Sequence, residues 1–336
     1  MKKYNVGILG ATGAVGQEML KVLGERDFPV GELRLLASSR SAGKVVDTEK
    51  FGSVTIKEAT HDSFGGLDIV LGAAENDISK MFVKDIKASG AVYIDNSSAF
   101  RLDPDVPLVV PEINPEDAFK HNGIIANPNC STIITLVGIN AINKLSPIET
   151  LYASTYQAVS GAGAAGPVEM YAQSEAVMKG EPVEKKVFPY QIAFNLLPQI
   201  GGFQENGYTS EEMKLQNEGR KILHLPEMKV SCTCVRVPVE RSHSISAIVI
   251  TKDKLDLKDV NEAIANAPGC RLVDDREKNL YPMPLDTSDQ DTVFVGRIRR
   301  DLANENGINL WCCGDQVRKG AATNAVQIAQ LLIAQE

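Results

Sequence analysis

The stretch VGILGATGAVGQEMLKVL, residues 6–23, decides how the first half of the chain is read. Val6-Gly7-Ile8-Leu9 is a short apolar run of strand type. It ends in Gly10-Ala11-Thr12-Gly13-Ala14-Val15-Gly16, and Gln17 to Leu23 then have helical spacing. A glycine-rich turn between a first strand and a first helix is a phosphate site: the glycines let the backbone approach a pyrophosphate, and the helix N-terminus faces its charge. The G-x-x-G-x-x-G spacing differs from the commonest dinucleotide fingerprint, and the same glycines also suit a tight packing turn. Their place directly after the N-terminal strand favours the phosphate reading. Gly10, Thr12, Gly13, Ala14, Val15 and Gly16 are therefore the expected cofactor-binding residues of this turn.

Moving outward, Leu33-Arg34-Leu35-Leu36-Ala37 reads as a second strand. A reader of a ribose 2′-hydroxyl would be an Asp or Glu near its end. The chain offers Ser38-Ser39-Arg40-Ser41-Ala42-Gly43 instead. A guanidinium among hydroxyls suits a 2′-phosphate, because Arg takes phosphate bidentately. Ser38, Arg40 and Ser41 thus point to NADP rather than NAD; the alternative is a solvated surface loop. Asp68–Leu71 and Ala91–Asp95 read as further strands with a helical stretch, residues 78–88, between them. The alternation implies an α/β fold with a Rossmann-like, doubly wound parallel sheet.

After about Thr132 the texture changes. Residues 151–156, 229–237 and 244–250 alternate like strands of a mixed or antiparallel sheet, and the Gly/Ala loop 160–166 opens a helical run from Pro167 to Lys179. The final segment, 321–334, reads as an amphipathic helix returning to the first domain. The expected division is 1–129 with 318–336 for the nucleotide-binding domain, and 130–317 for a central mixed α/β domain.

At 336 residues the chain is long enough for two domains. No signal peptide fits Met1 to Val6, and no apolar run is long enough to span a bilayer. Six cysteines without paired spacing make neither a disulfide framework nor a zinc motif, so a reducing, cytoplasmic setting and no metal are expected. A formal net charge of -8 argues against nucleic-acid binding.

Cys130 stands out among the six. It follows the Asn127-Pro128-Asn129 turn and precedes the apolar run Ser131 to Val137, which reads as a helix. A thiol at a helix start meets the positive end of the macrodipole, which favours the thiolate. The spacing points to a nucleophile. Of the four histidines, His61 and His121 lie in polar loops, His224 ends a helical run, and His243 opens a strand. Arg236 shares a strand face with Val230, Cys232 and Cys234, and needs an anion there: a ligand or an interdomain ion pair. Glu211 and Lys214 share a helix face, where a surface ion pair is the ordinary reading.

Together these stretches resemble one family over essentially the whole chain, the bacterial aspartate-semialdehyde dehydrogenases. The matching segments are GATGAVG (10–16), SSRSAG (38–43), DNSSAFR (95–101), VPLVVPEIN (106–114), NPNCST (127–132), YQAVSGAG (156–163), AFNLLPQI (193–200), EEMK (211–214), CVRVPVERSHS (234–244) and FVGRIRRD (294–301). One departure is Ala73-Ala74-Glu75-Asn76, where many members carry a Gly/Ser-rich loop near the cofactor.

The resemblance implies NADP-dependent, reversible reductive dephosphorylation of L-aspartyl-4-phosphate to L-aspartate-4-semialdehyde and inorganic phosphate. The route runs through a cysteine acyl-thioester and leads to lysine, threonine, methionine and diaminopimelate. It implies Cys130 as nucleophile, His243 as acid/base and Gln157 as the residue orienting substrate. It gives the substrate carboxylate to Arg236, the ammonium to Glu211, and the phosphate to Lys214 and Arg101. Ser160, Gly161 and Gln316 become nicotinamide-side contacts, and the central domain a catalytic and dimerisation domain of a homodimer. Two rival readings remain at this point: another acyl-phosphate or acyl-coenzyme A reductase of similar fold, and a non-catalytic NADP-binding homologue.

Overall fold

The apolar run at the N-terminus becomes β1 (Tyr4–Leu9), buried at all but one position. It is followed by α1 (Ala14–Glu25), β2 (Val30–Ala37), an antiparallel hairpin of β3 (Val45–Thr48) and β4 (Gly52–Thr55), and the short β5 (Lys57–Glu58). Then come β6 (Ile69–Gly72), α2 (Asn76–Ala88), β7 (Val92–Asp95) and β8 (Ile124–Ala126). Six of these strands form one sheet in the order β5-β2-β1-β6-β7-β8, parallel at every pairing. β6 is buried at all four positions, as expected of a strand covered on both faces. The chain first builds outward from β1 through β2 and then returns to lay β6 on the other side of β1. The carboxyl ends of β1 and β6 therefore flank the topological switch point, where open α/β sheets bind ligands.

The second sheet is mixed. α3 (Cys130–Leu145) leads to β9 (Ile148–Gln157), α4 (Ala165–Lys179), α5 (Ser210–Leu223), β10 (Lys229–Arg236) and β11 (His243–Thr251). α6 (Leu257–Ala265), β12 (Cys270–Leu272), the one-turn α7 (Pro284–Thr287), β13 (Val293–Arg300) and β14 (Gly307–Gly314) complete it. The strand order is β10-β9-β11-β14-β13-β12. β9–β10 and β12–β13 pair in parallel, and the three central pairings are antiparallel. α3, α5 and α6 pack on this sheet. Every residue of α3 from Ser131 to Ile142 is buried, which explains a helix apolar all round rather than on one stripe.

The computed structural model describes residues 2–334. They group into two units: residues up to Asn129 with those from Ala321 onward, and Cys130–Gly320. The last helix, α8 (Thr323–Ile333), packs on α1 within the first unit, and its Val326, Ile328 and Ala329 join Met19, Leu23, Ile69 and Ile94 in one core. Fully burying an aliphatic side chain of this kind contributes about 1.5–3 kcal/mol. The C-terminal segment is not one continuous α-helix from Ala321. Arg318–Ala322 form a wider π-type turn before α8 begins, a feature often found at functional sites. Among the described residues no helix is long and apolar enough to cross a membrane.

Candidate active site

In the first unit the glycine turn lies at the switch point. Gly10 has φ +86°, a left-handed conformation that favours glycine, and a Cβ there would fall 2.6 Å from the Ala73 carbonyl oxygen at the end of β6. A Cβ on Gly16 would fall 2.4 Å from the Gly10 carbonyl oxygen. The turn is thus pressed against both the β6 loop and its own helix. Neither a capping side chain nor an acidic residue occupies the first turn of α1. Its start, with Gly13, Ala14 and Val15, suits an anionic group. These residues fit the pyrophosphate of a dinucleotide.

Ser38 follows β2 directly, and Ser39–Ser41 form a 3-10 turn with Arg40 exposed, at the same carboxyl edge of the sheet. Asn76, from the departing Ala73–Asn76 loop, accepts the Ser98 backbone N–H on Oδ1 at 2.9 Å. That ties the loop to the segment leading to Arg101. Buried Asp95 holds the same segment by accepting the Ser97 N–H and hydroxyl at 3.1 and 2.6 Å. Arg101 is itself buried; its Nε donates to the Asn127 carbonyl at 3.0 Å and Nη2 to that of Asn96 at 2.8 Å.

In the second unit, five of the expected residues converge. Cys130 is the first residue of α3 and partly exposed. Its Sγ lies 3.5 Å from Nε2 of His243, the first residue of β11, which is fully buried. The antiparallel β9–β11 register sets Ser244 opposite Tyr156 and so brings His243 beside Gln157 at the end of β9. Gln157 is buried, and its amide donates to Glu211 Oε1 at 3.2 Å while its carbonyl oxygen accepts the Thr155 hydroxyl at 2.9 Å. Arg236 ends β10 opposite Gln157 in the parallel register, and its Nη1 donates to the Ala158 carbonyl at 2.6 Å. Burial lowers the Arg236 guanidinium from its ordinary value, while Cys130 and Glu211 raise it. Burial, and then the charge of Arg236, hold His243 down to about 3, with Glu211 opposing. The ring is therefore neutral at ordinary pH.

Glu211 and Lys214 sit in the first two turns of α5, three residues apart and joined at 2.8 Å. The pair is not the ordinary surface bridge, because Glu211 is buried against Gln157. Thr209 and Glu212 form a capping box, and Glu212 also accepts the Cys234 N–H at 3.0 Å, which fixes α5 on β10. Ser160 and Gln316 are hydrogen-bonded to each other through their side chains. Gln316 also accepts the Ser242 N–H at 2.8 Å, so it steadies the backbone just before His243. Gly161 packs on the same cluster: a Cβ there would lie 2.8 Å from Arg236 Nη1 and 3.2 Å from His243 Cε1.

Three contributors escaped the sequence reading. Glu212 was detectable, since Thr209-x-x-Glu212 is a helix-start signature. Gly320 packs on the thiol residue, where a Cβ would fall 2.9 Å from that of Cys130, and nothing in the local sequence marks it. Ala158 acts through its peptide, accepting from Arg236 and donating its N–H to His243 Nδ1 at 3.1 Å. Among the described residues no group of three or more His, Cys, Asp or Glu side chains is placed to hold a metal.

Two family models match the chain: "Semialdehyde dehydrogenase, NAD binding domain" over residues 5–121, and "Semialdehyde dehydrogenase, dimerisation domain" over residues 139–319. The aspartate-semialdehyde dehydrogenase of Aquifex aeolicus is 51% identical over 334 residues, covering 98% of each chain. That of Synechocystis is 49% identical over 328 residues, covering 98% of this chain and 97% of the other. Among solved structures, aspartate semialdehyde dehydrogenase II from Vibrio cholerae, complexed with ASA, superposes with a TM-score of 0.96 at 44% identity over 99% of both chains. The Candida albicans enzyme with NADP superposes with a TM-score of 0.79 at 26% identity, again over 99% of both.

Proposed function

The chain belongs to the aspartate-semialdehyde dehydrogenase family, and from that premise we propose that it interconverts L-aspartyl-4-phosphate and L-aspartate-4-semialdehyde with NADP, through an acyl-thioester on Cys130. The observation that carries this reading is the contact of Cys130 Sγ with His243 Nε2 at 3.5 Å, at the start of a helix and beside the buried Gln157, Glu211 and Arg236. A thioester keeps the acyl group activated and presents a carbonyl for reduction. The bound dinucleotide supplies or takes the hydride. Gln157 orients the acyl group next to the thiol. Arg236 takes the substrate carboxylate, and Glu211, which also holds Lys214 at 2.8 Å, takes its ammonium. Lys214 and Arg101 grip the phosphate, and Ser160, Gly161 and Gln316 line the nicotinamide side. The match to a dimerisation domain over residues 139–319 supports a homodimer. The deciding assay is NADP reduction with aspartate semialdehyde as a function of phosphate: turnover that needs no phosphate, or that requires coenzyme A, overturns the assignment.

Cofactor choice rests on Arg40. Its exposed guanidinium, with Ser38 and Ser41 at the edge of the sheet, supports a 2′-phosphate site. Arg40→Ala is expected to weaken NADP far more than NAD, by about the 1.5–3 kcal/mol of a charge-assisted hydrogen bond, roughly 10- to 150-fold. Equal weakening of both cofactors, measured by fluorescence titration, removes Arg40 from that role.

Arg101→Leu is expected to raise the apparent Michaelis constant for phosphate by about tenfold or more, with a smaller effect on that for the semialdehyde. Lys214 offers a point charge and cannot replace a planar donor fork. Because Arg101 is buried and holds two backbone carbonyls, thermal unfolding of the variant is the companion measurement. A variant that is stable and shows unchanged phosphate dependence makes Arg101 purely structural.

A further inference from the structure

Among the described residues, seven that are not glycine carry a left-handed backbone, and six of these are exposed. The seventh is Ser242, with φ +76° and no exposure to solvent, directly before His243. A side chain is strained in this region, and after glycine it is Asn and Asp that occupy it most readily. The chain places glycine at eleven other left-handed positions, so a buried serine at this corner calls for a physical reason.

The reason lies in what holds it. The Ser242 N–H donates to Gln316 Oε1 at 2.8 Å. Its hydroxyl lies 2.6 Å from that of Thr287, the last residue of α7. Thr287 donates its own proton to the Met283 carbonyl at 3.0 Å, so it takes the Ser242 proton on a lone pair. Cys313 closes the cluster, with Sγ 3.1 Å from Thr287 Oγ1 and 3.3 Å from Ser244 Oγ. One residue back, Arg241 Nε donates to the fully buried Asp315 at 2.5 Å. Ser242, Ser244 and Thr287 are buried, and the proposed reaction uses none of them. Buried hydroxyls cost more than apolar groups of the same size unless each is bonded. A strained residue persists only where its surroundings over-determine it, and such residues cluster at active sites.

We propose that Ser242 is a positioning residue: the Thr287 hydroxyl and the Gln316 amide clamp its left-handed backbone, and the clamp sets the reach of the His243 ring toward the Cys130 thiol. The inference rests on the reading of Cys130 and His243 as the reacting pair. The corner at Ser242 fixes where β11 begins, with His243 opposite Gly314. The far edge of the ring is held by the Ala158 N–H, which donates to Nδ1 at 3.1 Å. With the backbone and Nδ1 both fixed, Nε2 stands 3.5 Å from Sγ and has no room to swing. Nε2 is at the end of the side chain, so a small rotation at Ser242 becomes a large displacement there. Glycine would permit the corner but could not hold it, because it has no hydroxyl to give Thr287.

The test reads the thiol itself and needs no turnover, so it fails separately from the functional assignment. The rate of iodoacetamide alkylation at Cys130, assigned by mass mapping, is measured at neutral pH in the full chain. Wild type, Ser242→Gly, Thr287→Val and Thr287→Ser are compared, each with His243 present and with His243→Ala. Glycine takes the left-handed corner without strain, so Ser242→Gly removes the clamp and keeps the fold. With His243 present, Ser242→Gly and Thr287→Val are expected to react about fivefold or more slowly than wild type, and Thr287→Ser, which keeps the hydroxyl, within about twofold. With His243→Ala, neither substitution should slow the thiol further, because the clamp acts through the ring. Equal slowing in both backgrounds would mean that the cluster supports the fold at large, and the proposal falls. A folded Ser242→Gly or Thr287→Val that reacts at the wild-type rate also overturns it. An unchanged rate in His243→Ala alone would show that the ring does not act on the thiol, which removes the premise and the proposal with it.

Discussion

Cys130→Ser is expected to lower turnover by about four orders of magnitude or more, while NADP binding stays close to wild type. Removing a single essential nucleophile elsewhere costs on the order of 10⁶-fold. A serine hydroxyl at the same helix start remains protonated, because neither the macrodipole nor a neutral imidazole brings an alcohol near ionisation at pH 7. Alkylation of the wild type should give the same loss with one label per chain. The reason lies in the other thiols. Cys232, Cys234, Cys312 and Cys313 are buried. Burial pushes the Cys312 and Cys313 thiols up, and the adjoining Cys234 together with burial does the same to Cys232. All three are poorer nucleophiles for it. Cys270 is the only other partly exposed thiol among the described residues, and its Sγ donates to the Val137 carbonyl at 3.1 Å. Cys270→Ser should therefore keep near-normal activity. If mass mapping shows inactivation following Cys270 or Cys312, Cys130 loses its place in the reaction.

What the sequence could and could not disclose follows from the range of the forces involved. The β1–turn–α1 unit was legible because a left-handed glycine, a strand run and a helical run lie within about twenty residues. The partner of Gly10 was not legible, because Ala73 reaches it only after β6 returns beside β1. Cys130 could be singled out by its helix start. Its relation to His243, 113 residues away, could not, since it depends on the β9–β11 register. That group was assembled from family resemblance rather than from periodicity. Glu211 and Lys214 were correctly read as sharing a face. That Glu211 is buried against Gln157 depends on the Thr209–Glu212 cap and its hold on Cys234. Ala158 shows the limit most clearly: any residue presents the same peptide N–H, so its effect on His243 leaves no mark in side-chain identity.

His243→Ala is expected to cut turnover by about 10²- to 10⁴-fold with little change in NADP affinity. A lost proton-transfer group costs about 10²- to 10⁴-fold. The Gln and Asn amides keep some of the shape and hydrogen bonding but cannot take up and return a proton, so His243→Gln and His243→Asn should stay near the Ala level. The pH profile is a second check. With the folded pKa depressed to about 3 by burial and Arg236, the imidazole is neutral on both sides of its ordinary value of 6.5. Turnover of the wild type should show no step near pH 6.5 that His243→Gln removes. The other histidines provide the control. His61 pairs with Asp85 at the surface, His121 accepts the Gly123 N–H, and His224 caps α5 in a left-handed conformation. Replacing each by Asn should leave turnover close to wild type. Near-normal turnover in a folded His243→Ala enzyme would mean that α3 and Arg236 activate Cys130 without the imidazole.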